Sequence, residues 1–495
     1  MHRPSYFHRV SGTSFSPQQP FLLRTFSIAL LAAAGLAGVF AGPQLLSWIV
    51  SRLHAALDTS FWSEGFIASG WWLLTFAASL VLVRSSVHSP IYRWVNPLLL
   101  LLWFGYFLII QFRHPILLPF FDDYTGFLDD YSLILSGNYP LTRIEWLWQT
   151  YWECRVPIPR LLFILLSACF GNQVFLAAKL LTTLLLALVG YLLLLNTEAR
   201  KKPVTSLLIL GGLLHFGFFF SSLSGLSGTC YYGSLLGSLW ALHLQHRNRS
   251  IGLVLLAATL GALCFASGFV VFPVLLYRAW KARANRALRW IATWTALFCA
   301  LYFYGYHPQR LNALDGFFPI AFLAFIPIFL GNSLQFLYHW SLPLLGGSVL
   351  TWIGFQHLRV KKAGYYADVL LVLIGIAAMT AFFRHPAGVE WALNIRYGVF
   401  SSVALLAAIM LVSKSESALQ KWLLPLLLVG LLRTFFFYPE MALTQEKNLN
   451  MIRAWQNGRT DRPSQPFFPD NTEMVLTQSR DANLWQLPQN PPKGD

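Results

Sequence analysis

QVFLAAKLLTTLLLALVGYLLLL, residues 173–195, is the stretch on which the fold turns. It runs for 23 residues with one charge, Lys179, enough chain to cross the roughly 30 Å hydrocarbon core of a bilayer. In lipid such a run must be helical, because only a helix satisfies its own backbone hydrogen bonds. Runs of the same kind recur on both sides of it. Upstream they fall at Phe21–Val50, Gly65–Val83 and Val95–Phe112. Downstream they fall at about 204–222, 229–245, 251–266, 267–280, 287–305, 340–357, 366–383, 397–413 and 421–437. The reading is an all-α polytopic membrane protein with about 13 spans. Composition agrees: 56% of the 495 residues are hydrophobic and only 11% charged, whereas a soluble domain carries about 25% charged residues on its surface.

The charged start at Arg3 and Arg9 followed by an apolar run resembles a signal peptide. The run is long for one, and VFAG is a poor cleavage site, so a retained first helix is expected. The formal net charge of +16 does not gather on one soluble face, which argues against nucleic acid as a partner. Instead Lys and Arg cluster between alternate spans: Arg84 and Arg93; Arg200, Lys201 and Lys202; Arg247 and Arg249; Arg278, Lys281, Arg283 and Arg286. Under the positive-inside rule these loops are cytoplasmic, with about 20 Lys and Arg inside against about 8 in the outer loops and about 7 on the C-terminal tail. Phe317–Leu334 contains Pro319 and Pro327, and a crossing there would put Arg359, Lys361 and Lys362 outside. It is read as a helix lying in, or dipping into, the outer interface. The chain then divides into an N-terminal segment with three spans (1–112), an acidic outer loop (113–160), a multi-spanning core (161–437) and a small outer C-terminal tail (438–495). The N-terminus is inside, the C-terminus outside. The tail is polar and Pro-rich, with too few apolar residues for a core of its own.

Six of the 20 acidic residues fall in the one outer loop: Asp122, Asp123, Asp129, Asp130, Glu145 and Glu153. Clustered carboxylates serve as a general base when burial and like charge raise a pKa. They also suit a hard divalent cation such as Mg or Mn. The spacing of Leu128, Tyr131 and Leu135 predicts a helix over Tyr124–Leu135, which makes Asp122 and Asp123 equally readable as its N-terminal caps. Arg155 and Arg160, beside Glu153, match a phosphate, an ion pair or an interfacial anchor. Arg396, next to Tyr397 at a helix start, is unfavourable to the helix dipole and so calls for a partner. Lys179 lies inside a span, where insertion costs roughly 2.5–3.5 kcal/mol at the midplane, and is a functional candidate on that ground. The five cysteines form no CxxC pair, and His307, His339 and His357 are scattered singly, so neither a disulfide framework nor a zinc site is expected. No GxSxG, P-loop or HExxH pattern supports a soluble-enzyme chemistry.

Several short stretches carry a resemblance: RVPIPRLL (Arg155–Leu162), ASGFVVFPV (Ala266–Val274), YFYGYHP (Tyr302–Pro308) and ALNIRY (Ala392–Tyr397). With an early acidic outer loop followed by many spans, the chain resembles the GT-C class of membrane glycosyltransferases and a set of bacterial multi-spanning proteins. The resemblance implies a polyprenyl-phosphate-linked sugar donor, an acceptor of the cell envelope and a bacterial inner-membrane location. Asp122 or Asp123 would be the base or metal ligand. Arg155, Arg160, Arg396 and Lys179 would hold the lipid phosphate, with Glu153 and Tyr397 in support. Two spans more than the common pattern precede the loop, and residues 153–155 read ECR where look-alikes more often place His before Arg. Two rival readings stand beside it: a transporter or flippase of lipid-linked saccharide, and a non-catalytic protein of glycopolymer assembly or a polymerase or ligase of different mechanism. Sugar, acceptor and oligomeric state are not legible.

Overall fold

The computed structural model describes residues 59–86, 98–99, 101–103, 105–106, 118–120, 122–137, 142–151, 154–198, 201–217, 219–306, 318–335, 339–358, 364–457 and 472–482. The expected first span, most of the third, Glu153, His307 and the Arg359–Lys362 cluster lie outside them. Nearly all of the described chain is helical. Helix α1 is Thr59–Ser86. A π-helix over Tyr124–Asp129 runs directly into α2, Asp130–Leu135. Helix α3 (Arg143–Trp148) is opened by a capping box between Thr142 and Glu145. The two-residue strands β1 (Thr150–Tyr151) and β2 (Cys154–Arg155) pair antiparallel. There follow α4 (Pro157–Phe170), α5 (Val174–Leu195), α6 (Lys202–Leu213), α7 (Phe219–Leu223), α8 (Gly225–His246), α9 (Ile251–Cys264), α10 (Val271–Lys281) and α11 (Asn285–Phe303). The last set is α12 (Pro319–Leu330), α13 (Ser341–Leu358), α14 (Tyr365–Arg384), α15 (Gly398–Val412), α16 (Glu416–Gln420), α17 (Leu423–Gln456) and α18 (Thr472–Asp481).

Five described helical stretches are long and apolar enough to cross a membrane: Glu64–Arg84, Pro157–Leu195, Tyr365–Ala387, Ile395–Val412 and Glu416–Gln456. The differences from the sequence expectation have local causes. The run expected at 204–222 is broken between α6 and α7. Trp72 donates its indole N–H to the Leu214 carbonyl, and Arg433 donates to the Gly217 carbonyl; these bonds satisfy carbonyls that the interrupted helix leaves over. The runs at 251–266 and 267–280 are α9 and α10, of 14 and 11 residues, joined by a 3₁₀ turn at Ala266–Val270. At 1.5 Å per residue these are about 21 and 17 Å long, less than a bilayer core. Helix α12 has 12 residues, about 18 Å, with Phe325, Ile328, Phe329 and Leu330 buried, while Ile320 and Leu323 on its other side are exposed.

Helix α8 is the hub and packs most extensively on α5 and α9. A Cβ at Gly237 would run into the Gly261 backbone, and one at Gly268 would meet Gly261 as well, so small residues let these backbones touch. One large apolar core fills the bundle. A second, smaller core lies under the acidic loop, where Leu118, Tyr124, Phe127, Trp146 and Phe163 meet Leu449, Ile452, Val475 and Leu476. Helix α17 therefore continues unbroken through the boundary expected at 437/438. Among the described residues the C-terminal part has no separate core. It shares one with the acidic loop.

Candidate functional site

The segment entering the acidic loop is tied down at every step. The Leu118 carbonyl accepts from Lys179 Nζ at 2.9 Å, and the Pro119 carbonyl accepts from Asn448 Nδ2 at 2.8 Å. The Asp123 side chain then turns back to accept the Phe120 N–H at 3.0 Å. It also reaches the start of α8, 101 residues away, where it accepts from Ser224 Oγ at 3.1 Å, Gly225 N at 3.3 Å and Leu226 N at 2.9 Å. Ser224 is itself the N-cap of α8 and takes the Ser227 N–H. A helix N-terminus of 22 residues thus receives a full carboxylate, the arrangement its dipole favours. Asp123 is fully buried, and burial raises its carboxyl from 3.8 to about 6, against the opposing pull of the Leu226 N–H and the Lys179 charge. The expected capping of the following helix is absent, for Asp123 makes no side-chain cap there.

Asp122 is held differently. One oxygen takes a bond from Ser227 Oγ and the other lies 3.3 Å from Tyr151 Oη, which also contacts Thr125 Oγ1 at 3.0 Å. Among the described residues no backbone N–H reaches it. Its electrostatic neighbours are Arg396 and Tyr231. Arg396 donates to the Tyr231 hydroxyl, donates through Nε to Asn394 Oδ1 at 3.2 Å, and lies 4.9 Å from the Phe220 ring. It is half-buried. Tyr397 is a packing residue whose ring is 4.9 Å from Phe329.

The remaining expected cations have structural partners of their own, although Arg160 also lies 5.9 Å from the ring of Tyr151, the residue that contacts Asp122. Buried Arg160 donates to the carbonyls of Trp146 at 2.5 Å and Gln149 at 2.9 Å, lies 3.5 Å from Asp130 and stacks on Trp146. It closes the C-terminus of α3 and fixes the loop. Arg155 points the other way, because neighbouring strand residues face opposite sides. Tyr151 and Cys154 form one pair of the hairpin, with Tyr151 on Asp122, while Thr150 and Arg155 form the next. Arg155 donates to the Tyr304 carbonyl at 2.6 Å and lies among Trp148, Tyr302 and Tyr306. Lys179 is buried and serves the Leu118 carbonyl and Asp123 rather than reaching for the interface.

A divalent cation fits poorly. Both carboxylates are approached by hydrogens, from hydroxyls at Asp122 and from N–H groups at Asp123, and a metal needs bare oxygen ligands. Among the described residues no three His, Cys, Asp or Glu side chains come together. All five cysteines are free thiols.

A second charged cluster, unforeseen in the sequence reading, sits at the far end of α8, about 33 Å away along 22 residues. Asp368, buried at the start of α14, accepts from His246 Nε2 at 2.8 Å and from Arg278 Nε. The signal was a lone carboxylate opening an apolar run. Arg433, equally buried, donates to the carbonyls of Asn332 at 2.7 Å and Gly217; a lone arginine in LLPLLLVGLLRTFFFYP was its signal. Ser224, Ser227 and Tyr231 were also missed, since nothing local marks a serine as the partner of a distant aspartate. No known protein family, curated protein or solved structure matches this chain.

Proposed function

We propose that the protein is a membrane glycosyltransferase that moves a sugar from a polyprenyl-phosphate-linked donor to a cell-envelope acceptor, with Asp122 as base and Arg396 on the donor phosphate. In this reading the chain is a multi-spanning protein of the bacterial inner membrane, and the acidic-loop end is extracytoplasmic. The observation that carries it is the contrast between adjacent carboxylates. Asp123 is consumed by structural bonds, whereas Asp122 is held by two hydroxyls alone and lies within electrostatic reach of a half-buried arginine.

In the reaction, an acceptor hydroxyl gives its proton to Asp122 while its oxygen attacks the anomeric carbon. The bond from that carbon to the phosphate oxygen breaks with its electron pair, and the configuration inverts. Charge grows on the departing phosphate, where the Arg396 guanidinium stabilises it. Tyr231 holds Arg396 in place, and Ser227 and Tyr151 orient Asp122. Asp123, Lys179 and Arg160 act on the frame rather than on substrate. Arg155, on the opposite side of the hairpin, is assigned no part in the transfer.

The test is mass spectrometry of lipids retained by the purified chain. A polyprenyl-phosphate-class lipid is expected with wild type and lost, by about tenfold or more, in Arg396→Gln, since a charge-assisted phosphate contact of this kind is worth at least one decade. Equal retention by both proteins, with the variant folded, removes Arg396 from the donor site.

A further inference from the structure

The far end of the bundle presents a different chemistry. Between residues 271 and 303 the α10–α11 hairpin holds five cations, Arg278, Lys281, Arg283, Arg286 and Arg289, and no Asp or Glu. Among the described residues only Asp368, on α14, answers them directly, through Arg278, and it is shared with His246. The Arg278 guanidinium spends Nε on that bond. Its Nη1 and Nη2 are shielded from water and have no hydrogen-bond partner among the described residues, although the side chain is only 11% exposed. A guanidinium presents its N–H groups in a planar fork matched to two oxygens of one anion. Around it, Lys281 Nζ bonds the Leu358 carbonyl at 2.5 Å and Tyr277 Oη at 3.0 Å, and His357 is an electrostatic neighbour. Exposed apolar residues interleave with the cations along the chain: Trp280 lies between Arg278 and Lys281 and Trp290 follows Arg289, with Trp294 and Leu297 further along α11. Exposed tryptophans flanking a basic cluster are what a bilayer interface selects.

We infer that this junction binds the phosphate of an anionic phospholipid, with Arg278 as the principal donor, Lys281 supporting it, and the acyl chains against the exposed face of α11. The nature of the occupant follows from the neighbours. A free phosphate needs only the cations, whereas the apolar face with Trp290, Trp294 and Leu297 suits hydrocarbon, and basic sites among membrane helices recognise anionic headgroups.

Thermal unfolding of the full chain in neutral detergent, titrated with dioctanoyl phosphatidylglycerol, dioctanoyl phosphatidylcholine or inorganic phosphate, tests this. Phosphatidylglycerol is expected to raise the midpoint saturably and phosphatidylcholine and inorganic phosphate are not. In Arg278→Lys, which keeps a charge for Asp368 but lacks the fork, about tenfold more phosphatidylglycerol is expected for the same shift. An equal response to both lipids overturns the inference. So does an equal response to inorganic phosphate, or an unchanged titration in Arg278→Lys. Should that variant fail to fold, native mass spectrometry of wild type decides: a retained phosphatidylglycerol and no retained phosphatidylcholine sustains the site, and equal retention rejects it.

Discussion

The two ends of α8 handle a buried carboxylate in opposite ways. At its N-terminus Asp123 accepts N–H groups from three backbone positions and the hydroxyl of Ser224, with Lys179 adding charge. At its C-terminus Asp368 meets side chains alone, His246 and Arg278. Backbone donors cannot move without the fold moving, so the first arrangement makes the loop part of the frame and leaves its neighbour Asp122 available. Side-chain donors are adjustable, and the second arrangement leaves guanidinium N–H groups unused. One end is rigid around its acid; the other is a charge junction with capacity for an outside anion.

Asp123→Ala should produce the largest effect. It removes the acceptor of four hydrogen bonds and strands buried Lys179, a loss of about 5 kcal/mol, the upper range for breaking a buried pair. Thermal unfolding in detergent at neutral pH measures it, and a drop near 1 kcal/mol would show that Asp123 is not structural.

Next comes pH. Because the folded carboxyl titrates at about 6 rather than 3.8, the folded chain holds the proton longer than the unfolded one. Stability contributed by this group is therefore full below about pH 4 and declines as pH rises through about 6, by about 3 kcal/mol for a shift of this size. The decline should vanish in Asp123→Asn; its persistence there would assign the titration to another group.

Asp368→Asn should cost less, about 2 kcal/mol, below the usual range for a buried pair. His246 is 26% exposed, so water compensates part of the lost charge on its side. A loss equal to that of Asp123→Ala would erase the distinction between the ends.

How much of this was legible follows the same division. Apolar runs announce helices, and a doublet of acids at the end of one marks a candidate site, because both signals are local. Which aspartate is structural depends on Ser224, Gly225 and Leu226, and no periodicity links residue 123 to residue 224. The break at 214–218 was invisible for a similar reason: LLHFGFFF reads as continuous hydrocarbon, and only Trp72 and Arg433, far away in sequence, hold its freed carbonyls. The resemblance implies that Arg155, Arg160, Arg396 and Lys179 share one lipid phosphate. The short hairpin sets Arg155 apart, because strand alternation turns it away from the side that bears Tyr151 and Asp122. The lone charges Asp368 and Arg433 carry the same local signal as Lys179, a single ionisable residue in an apolar run.

The division of labour between neighbouring aspartates is most directly tested by sugar transfer from polyprenyl-phosphate-linked donors in membranes containing Asp122→Asn. Loss of a catalytic base lowers transfer by about 10²–10⁴-fold, and the account predicts such a loss with the unfolding midpoint of wild type nearly unchanged. Transfer at the wild-type rate by a folded Asp122→Asn protein would contradict it.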